Sequence, residues 1–270
     1  MSSPALLARD LRMRFGPVEA LSGVSIEIAP GRITAFCGAN GSGKSTLLRC
    51  LCGLESGFEG EVRLGTLALG EISARDLARQ IAVVGQNPLT PAGLLVHELV
   101  EQGRFPHRRW LSRRSDGDRA AVTRAMQAMD LEALAARPVE ALSGGERQRA
   151  FIAMALAQEP RILFLDEPTS FLDLRHQAEL LALLRRLNRR DGLTIVTVLH
   201  DLNQVMDFAD AVVLMERGRI LASGDPRDTL SAQRLGQAFG CKLDIVPHPV
   251  HGRPFCVVDW RGGEATEPLA

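Results

Sequence analysis

The chain contains no tyrosine, and of its 32 basic residues only Lys44 and Lys242 are lysine. No apolar run approaches the ~18 residues a membrane-spanning helix needs, so any path through a bilayer is expected to belong to another subunit. The stretch Met1 to Asp10 has too short an apolar segment for a secretory leader. Formal net charge is +0, which leaves no global case for nucleic acid or for an acidic substrate. The five cysteines (Cys37, Cys50, Cys52, Cys241 and Cys256) are odd in number and sit mostly in apolar segments. Cys50-x-Cys52 has no partner cluster, so buried thiols are expected rather than disulfides or metal ligands. There are no repeats and no low-complexity tracts. What remains reads as a cytosolic, soluble chain whose 270 residues allow one large α/β domain or two small ones.

Against this arginine-dominated background one lysine stands inside Gly38-Ala39-Asn40-Gly41-Ser42-Gly43-Lys44-Ser45-Thr46. The apolar run Arg32 to Cys37 precedes it as a strand, and Leu47 to Leu51 follows as a helix. The spacing fits a phosphate-binding glycine loop at Gly38, Gly43, Lys44 and Ser45. Glycines let the backbone curl until successive N–H groups form a concavity for phosphate oxygens. The helix beginning near Gly43 brings its positive end, roughly half an elementary charge, under the same oxygens. Lys44 supplies a compact ammonium for the β- and γ-phosphates, and Ser45 a hydroxyl for Mg²⁺.

Strand-like and helix-like segments alternate, as expected of an α/β chain with a mainly parallel, helix-covered sheet. Ile162-Leu163-Phe164-Leu165 ends in Asp166, and Thr194 to Leu199 ends in His200, so both put polar groups at the carboxyl end of a strand. Residues 9–30 and 60–85 suggest an antiparallel layer. Residues 88–158 carry helical spacing, for example Ala121, Ala125, Met129 and Leu131, which predicts a helical subdomain inserted in the nucleotide-binding core. The tail beyond Asp225-Pro226, with Pro247, Pro249 and Pro254, has no assignable pattern.

The second motif is Leu142-Ser143-Gly144-Gly145-Glu146-Arg147-Gln148-Arg149, in which Ser143 and paired glycines open a helix and leave backbone donors free for an anion. It is followed by Ile162-Leu163-Phe164-Leu165-Asp166-Glu167-Pro168-Thr169-Ser170. Together these resemble the ATP-binding-cassette ATPases, whose signature is Leu-Ser-Gly-Gly-Gln/Glu, and the likeness covers nearly the whole chain. It implies a P-loop NTPase (RecA-like) core, an antiparallel β-subdomain and an inserted α-helical subdomain. The ATPase domain would span 1–240, leaving 241–270 as an extension of unknown role.

The resemblance also implies roles. ATP is held by Phe15 on adenine and by Gly38 to Thr46. Asp166 holds Mg²⁺ through water, with Ser45 and Gln86 beside it. Glu167 polarises the attacking water, and His200 is the switch histidine that donates to γ-phosphate and water. Gln86 reports occupancy to the helical subdomain. Ser143, Gly144 and Gly145 close over nucleotide bound by another protomer, and Asp173 lies in the loop that crosses between protomers. A head-to-tail homodimer is therefore expected.

Val96-His97-Glu98, Leu99 to His107, Leu172 to Gln177 and Val198 to Gln204 look like segments of ferric-siderophore, haem and cobalamin importer ATPases. Gln148 to Gln158 leans towards the siderophore members. The implied setting is the cytoplasmic face of the inner membrane, beside an integral membrane permease and a periplasmic or extracellular substrate-binding protein, with no nucleic acid. A non-transport regulatory ATPase is the alternative of a different class. Arg104, Arg108, Arg109, Arg113 and Arg114 are expected to face the permease or anionic headgroups, or else to form a solvated basic face. His107 has no companions that would make it a metal ligand.

Overall fold

A computed structural model describes residues 5–86, 88, 93–108, 115–250 and 252–259. Its main sheet contains β3 (Ile33–Cys37), β6 (Ile81–Val84), β7 (Ile162–Asp166), β8 (Thr194–Val198), β9 (Ala211–Glu216) and β10 (Arg219–Gly224), in the order β10-β9-β3-β8-β7-β6. All neighbours pair parallel except the β9–β10 hairpin at one edge. β3, β7 and β8 are buried at every residue. That is why they read as continuous apolar runs without alternation.

A second, antiparallel sheet has the order β2-β1-β4-β5, from β1 (Leu6–Phe15), β2 (Val18–Ile28), β4 (Glu59–Leu64) and β5 (Leu67–Ala68). Between the sheets lies α1 (Lys44–Leu51), where Leu47, Leu48 and Leu51 meet Phe36, Phe164, Val196 and Val198. The alternate residues Ala35, Leu163, Leu165 and Ile195 face the opposite side of the main sheet. They are covered there by α5 (Gly144–Ala157), α6 (Leu174–Asp191) and α7 (Leu202–Phe208). α3 (Val96–Gln102) and α4 (Asp116–Ala128) pack on α5. Among the described residues of 93–158 there is no strand, as the helical spacing predicts.

The antiparallel layer expected over 60–85 ends at β5. After α2 (Ala74–Ala78), β6 joins the parallel sheet beside β7. Ile81-Ala82-Val83-Val84 is continuously apolar, the mark of a strand covered on both faces. The unassigned tail also folds. α8 (Pro226–Thr229) and α9 (Ala232–Phe239) lead into a hairpin of β11 (Leu243–Pro247) and β12 (Pro254–Val258). Its prolines sit where the ladder ends, Pro247 opposite Pro254, so they mask the strand pattern without breaking the pairing. The five cysteines are unpaired thiols, and four are buried as expected; Cys241 is exposed. Burial pushes the Cys37 and Cys50 thiols up to about 12.

Arg104 corrects the basic-face expectation. Its side chain is 7% exposed, with Nε donating to Asp118 at 2.9 Å and Nη1 to Ala157 O and Glu159 at 2.7 Å each. A guanidinium is taken inside because its planar fork finds an acceptor for each buried N–H. Arg108 is half-buried and donates to Glu101 O at 3.3 Å. Arg109, Arg113 and Arg114 lie outside the described residues. His107 pairs its Nε2 with Gln158 O at 2.9 Å, a structural contact.

The Arg104 hydrogen bond, opposed by burial and assisted by Ser115, holds the Asp118 carboxyl down at about 2. With an unfolded value of about 3.9, its stabilising share is present above pH ~4 and is lost as pH falls towards ~2. Thermal melts from pH 5 to 2 are expected to show the advantage of wild type over Asp118→Asn shrinking through that window. A gap that stays constant would contradict the pairing.

Candidate active site

β3 ends at Cys37, and the chain turns through residues 38–43 into α1. Two glycines make this turn possible. Gly38 has φ 143, and a Cβ there would lie 2.2 Å from Met215 O. Gly43 has φ 100, and its Cβ would lie 2.5 Å from Ala20 O. Lys44 closes the loop, its Nζ donating to Gly38 O at 2.9 Å and Ala39 O at 2.8 Å. Gly43 occupies the N-cap position of α1 and offers no side chain, so the first-turn N–H groups have no side-chain cap. The Ser42 Oγ is buried without a hydrogen-bond partner.

These groups form one wall of a cavity of about 550 Å³ lined by Asn40, Gly41, Gly43, Lys44, Ser45, Thr46, Gln86, Glu167 and His200. A larger cavity, about 810 Å³, opens at the opposite ends of the strands beside Gly31, Ile162 and Thr194 and is lined by none of the candidate site residues. The chemistry-bearing groups are therefore gathered at the carboxyl ends of β3, β6, β7 and β8, from four separate stretches of chain.

Glu167 is the hub. Its backbone is left-handed, φ 54, a strained setting for a non-glycine residue that aims the side chain off the end of β7. Oε1 lies 2.6 Å from His200 Nε2, and Oε2 accepts from Gln86 Nε2 at 2.5 Å and Ser170 Oγ at 3.0 Å. Burial alone would raise this carboxyl, but the His200 and Ser170 hydrogen bonds and the Lys44 charge outweigh it and hold the group below the usual range. Next to it Asp166 is shifted upward, chiefly by burial, with the Ser45 hydrogen bond opposing and Glu167 adding. Burial likewise lowers Lys44, while Glu167, Cys37 and Asp166 pull it back.

The Ser45 hydroxyl donates to Asp166 Oδ1 at 3.0 Å. A hydroxyl beside a buried carboxylate is a donor set of hard oxygens suited to Mg²⁺. Among the described residues no group of three or more His, Cys, Asp or Glu side chains is spaced to hold a metal. Uncapped N–H groups with an adjacent ammonium suit a polyphosphate.

The remaining expected residues divide between the cavity wall and positions apart from it. Gln86 donates to Glu167, so it holds the carboxylate instead of standing free. Phe15 is 48% exposed at the end of β1, hence no core residue, yet it does not line the cavity. Gly38, Ala39 and Ser42 shape the loop from behind. Ser143 N-caps α5 in a reciprocal box with Glu146, at 3.3 and 2.8 Å. Asp173 N-caps α6 and accepts from the His176 ring at 2.8 Å. None of Ser143, Gly144, Gly145 and Asp173 reaches the cavity of its own chain. A Cβ on Gly144 would meet only Leu172 Cδ2 at 3.8 Å, whereas one on Gly145 would press on His176 at 2.6 Å. Sequence reading missed Ser170, and the glutamines Gln177 and Gln204 that tie the loop after Glu167 to the helices. Ser170 acts on a carboxylate three residues back, whereas the glutamines act through contacts across the fold; all three stand in motif-like segments that give them no role.

Residues 21–170 match the ABC transporter family, more than half of the chain. The ferric enterobactin transport ATP-binding protein of Escherichia coli (strain K12) is 42% identical over 93% of each chain. The iron(3+)-hydroxamate import ATP-binding protein of Bacillus subtilis (strain 168) is 40% identical over 94% of each. The hemin import ATP-binding protein of Escherichia coli O157:H7 is 40% identical over 87% of this chain and 92% of that one. Among solved structures, a chain of a transporter described as metal-chelate type and inward-facing superposes with a TM-score of 0.84 at 27% identity, covering 96% of this chain and 98% of that one. A bacterial ABC transporter cassette solved as a dimer superposes at 0.71 with 29% identity, over 82% and 99%. With its glycine loop, signature motif and acidic strand end on one cassette fold, the chain belongs to the ABC transporter family and is its ATPase domain.

Proposed function

We propose that this ATPase is the energy-coupling subunit of an importer for ferric siderophores, working as a homodimer on a separate membrane permease. The observation that carries the hydrolytic part is the Glu167 carboxylate, held ionised by His200 and Ser170 at the mouth of the lysine-containing loop. The cargo rests on the relatives, two of which are named for ferric enterobactin and iron(3+)-hydroxamate. The hemin import relative supports haem as the second reading.

In this account Gly41 to Thr46 and Lys44 bind the phosphates of ATP, and Phe15 stacks on the base. Ser45, Asp166 and Gln86 would hold Mg²⁺, which supplies charge neutralisation on the β- and γ-phosphates when bound. Glu167 takes a proton from the attacking water as general base. His200, donating from Nε2, keeps that carboxylate ionised and aimed. Ser143, Gly144 and Gly145 serve the partner's nucleotide. Gly144 supports this: its own chain leaves room for a side chain, so the close approach that requires glycine comes from outside. Asp173 lies beside that contact and crosses between protomers.

No helix of the described residues is long and apolar enough to cross a membrane, which fits a peripheral subunit at the cytoplasmic face. A permease and a substrate-binding protein complete the system. The test is uptake in cells whose sole copy carries Glu167→Gln, given labelled ferric siderophores, haem and cobalamin in parallel. Loss of siderophore uptake alone is expected. Loss of haem uptake alone would establish the second reading, and normal uptake of all three would overturn import.

A further inference from the structure

Glu167 and His200 meet at 2.6 Å although they sit on different loops. Two residues beyond Glu167, Thr169 Oγ1 donates to Gln204 Oε1 at 3.1 Å. Gln204 Nε2 donates to Gln177 Oε1 at 2.7 Å. The ring closes when Gln177 Nε2 donates back to Thr169 O at 3.2 Å and to Leu172 O at 3.0 Å. Thr169 is buried and both glutamines are half-buried. This joins the loop after Glu167, the first turn of α6 and the first turn of α7, the helix that His200 leads into.

The outer side of α7 is also gripped. Asn203 accepts from Cys256 N at 2.7 Å and donates to Cys256 O at 3.2 Å, as a neighbouring strand would. Arg253 pairs with Asp207 on the same helix. Asp201 caps the helix start, accepting from Asn203 N at 2.8 Å and Gln204 N at 3.2 Å. The start of α7 therefore has no freedom to slide unless the ring or the hairpin lets go.

We infer that Gln204 is a positioning residue for hydrolysis: with Gln177 it sets the register between the Glu167 loop and α7, and the β11–β12 hairpin braces the same helix through Asn203. The inference rests on the proposed roles of Glu167 and His200. Amide groups suit the task because each both donates and accepts, so one side chain closes two links of the ring. No charge is moved near the nucleotide, and neither glutamine lines the cavity. The effect is therefore on placement of the water-activating pair, not on affinity.

The experiment is Gln204→Leu, read three ways. kcat for phosphate release falls roughly 10- to 100-fold, the scale of a misplacement of about 1 Å, while the Kd for a fluorescent ATP analogue stays as in wild type. In ¹⁵N-histidine spectra of the apo protein, which has 6 His, the His200 resonance moves and the others hold. His200→Ala assigns that resonance. A still His200 signal overturns the inference whatever kcat does, as does a moved signal with unchanged kcat. If Gln204→Leu does not fold, Asn203→Ala tests the outer brace by the same readouts. Should His200→Ala hydrolyse ATP like wild type, the role of His200 itself falls, a failure distinct from that of the positioning ring.

Discussion

Replacing Glu167 by glutamine lowers phosphate release at least ~10²-fold, the scale of a lost general base, and leaves ATP binding intact. The swap keeps side-chain length and the left-handed backbone at φ 54, so the end of β7 need not move. What changes is the acceptor. Oε1 and Oε2 now accept from His200, Gln86 and Ser170, and an amide nitrogen in either place would set donor against donor. More important, a neutral amide takes no proton from water. Gly41 to Thr46, on the opposite wall, are untouched, so nucleotide affinity stays. Single-turnover phosphate release together with equilibrium binding of a fluorescent ATP analogue separates the two effects. Undiminished release would remove Glu167 from its role.

The second large effect concerns the signature motif. Lys44→Ala and Gly144→Asp are each expected to abolish hydrolysis, for different reasons. Lys44→Ala removes the ammonium that faces the cavity, and a lost charge-assisted hydrogen bond of about 1.5–3 kcal/mol weakens nucleotide binding roughly 10- to 150-fold. Gly144→Asp fits its own fold, since its Cβ meets only Leu172 at 3.8 Å. It presents a carboxylate to the phosphates of the partner's nucleotide, a like-charge contact. Mixing the two dead proteins is then expected to restore activity. In the proposed arrangement each site takes its loop from one chain and its signature from the other, so the mixed pair has one site with both lesions and one with neither. With random pairing about a quarter of the sites are whole. A mixture as dead as its components would contradict completion of the site by a partner.

How much of this was legible in the sequence divides along a physical line. The glycine loop, the strands ending at Asp166 and His200 and the helical region were readable because each is a local pattern. Gly38, Gly43 and Lys44 lie within a few residues, and buried parallel strands are continuous apolar runs. Arg104 was misread because nothing near it in sequence predicts burial; its acceptors, Asp118 and Glu159, come from α4 and the turn beyond α5. β6 was assigned to the wrong layer because four apolar residues do not say which sheet will take them. The C-terminal hairpin was hidden by Pro247 and Pro254, harmless at the ladder's end. Gln204 was visible only as the end of a family-like segment, and its ring with Thr169 and Gln177 joins parts of the chain that no local pattern connects. Residues whose work is done across the fold are the ones a linear pattern cannot mark.

The central claim is that one chain holds two incomplete halves of a hydrolytic site, which ATP brings together head to tail. Sedimentation velocity of Glu167→Gln, with and without ATP and Mg²⁺, tests it most directly because this variant holds the bound state without consuming it. The account predicts a monomer without nucleotide and a dimer with it. A monomer under both conditions would contradict it.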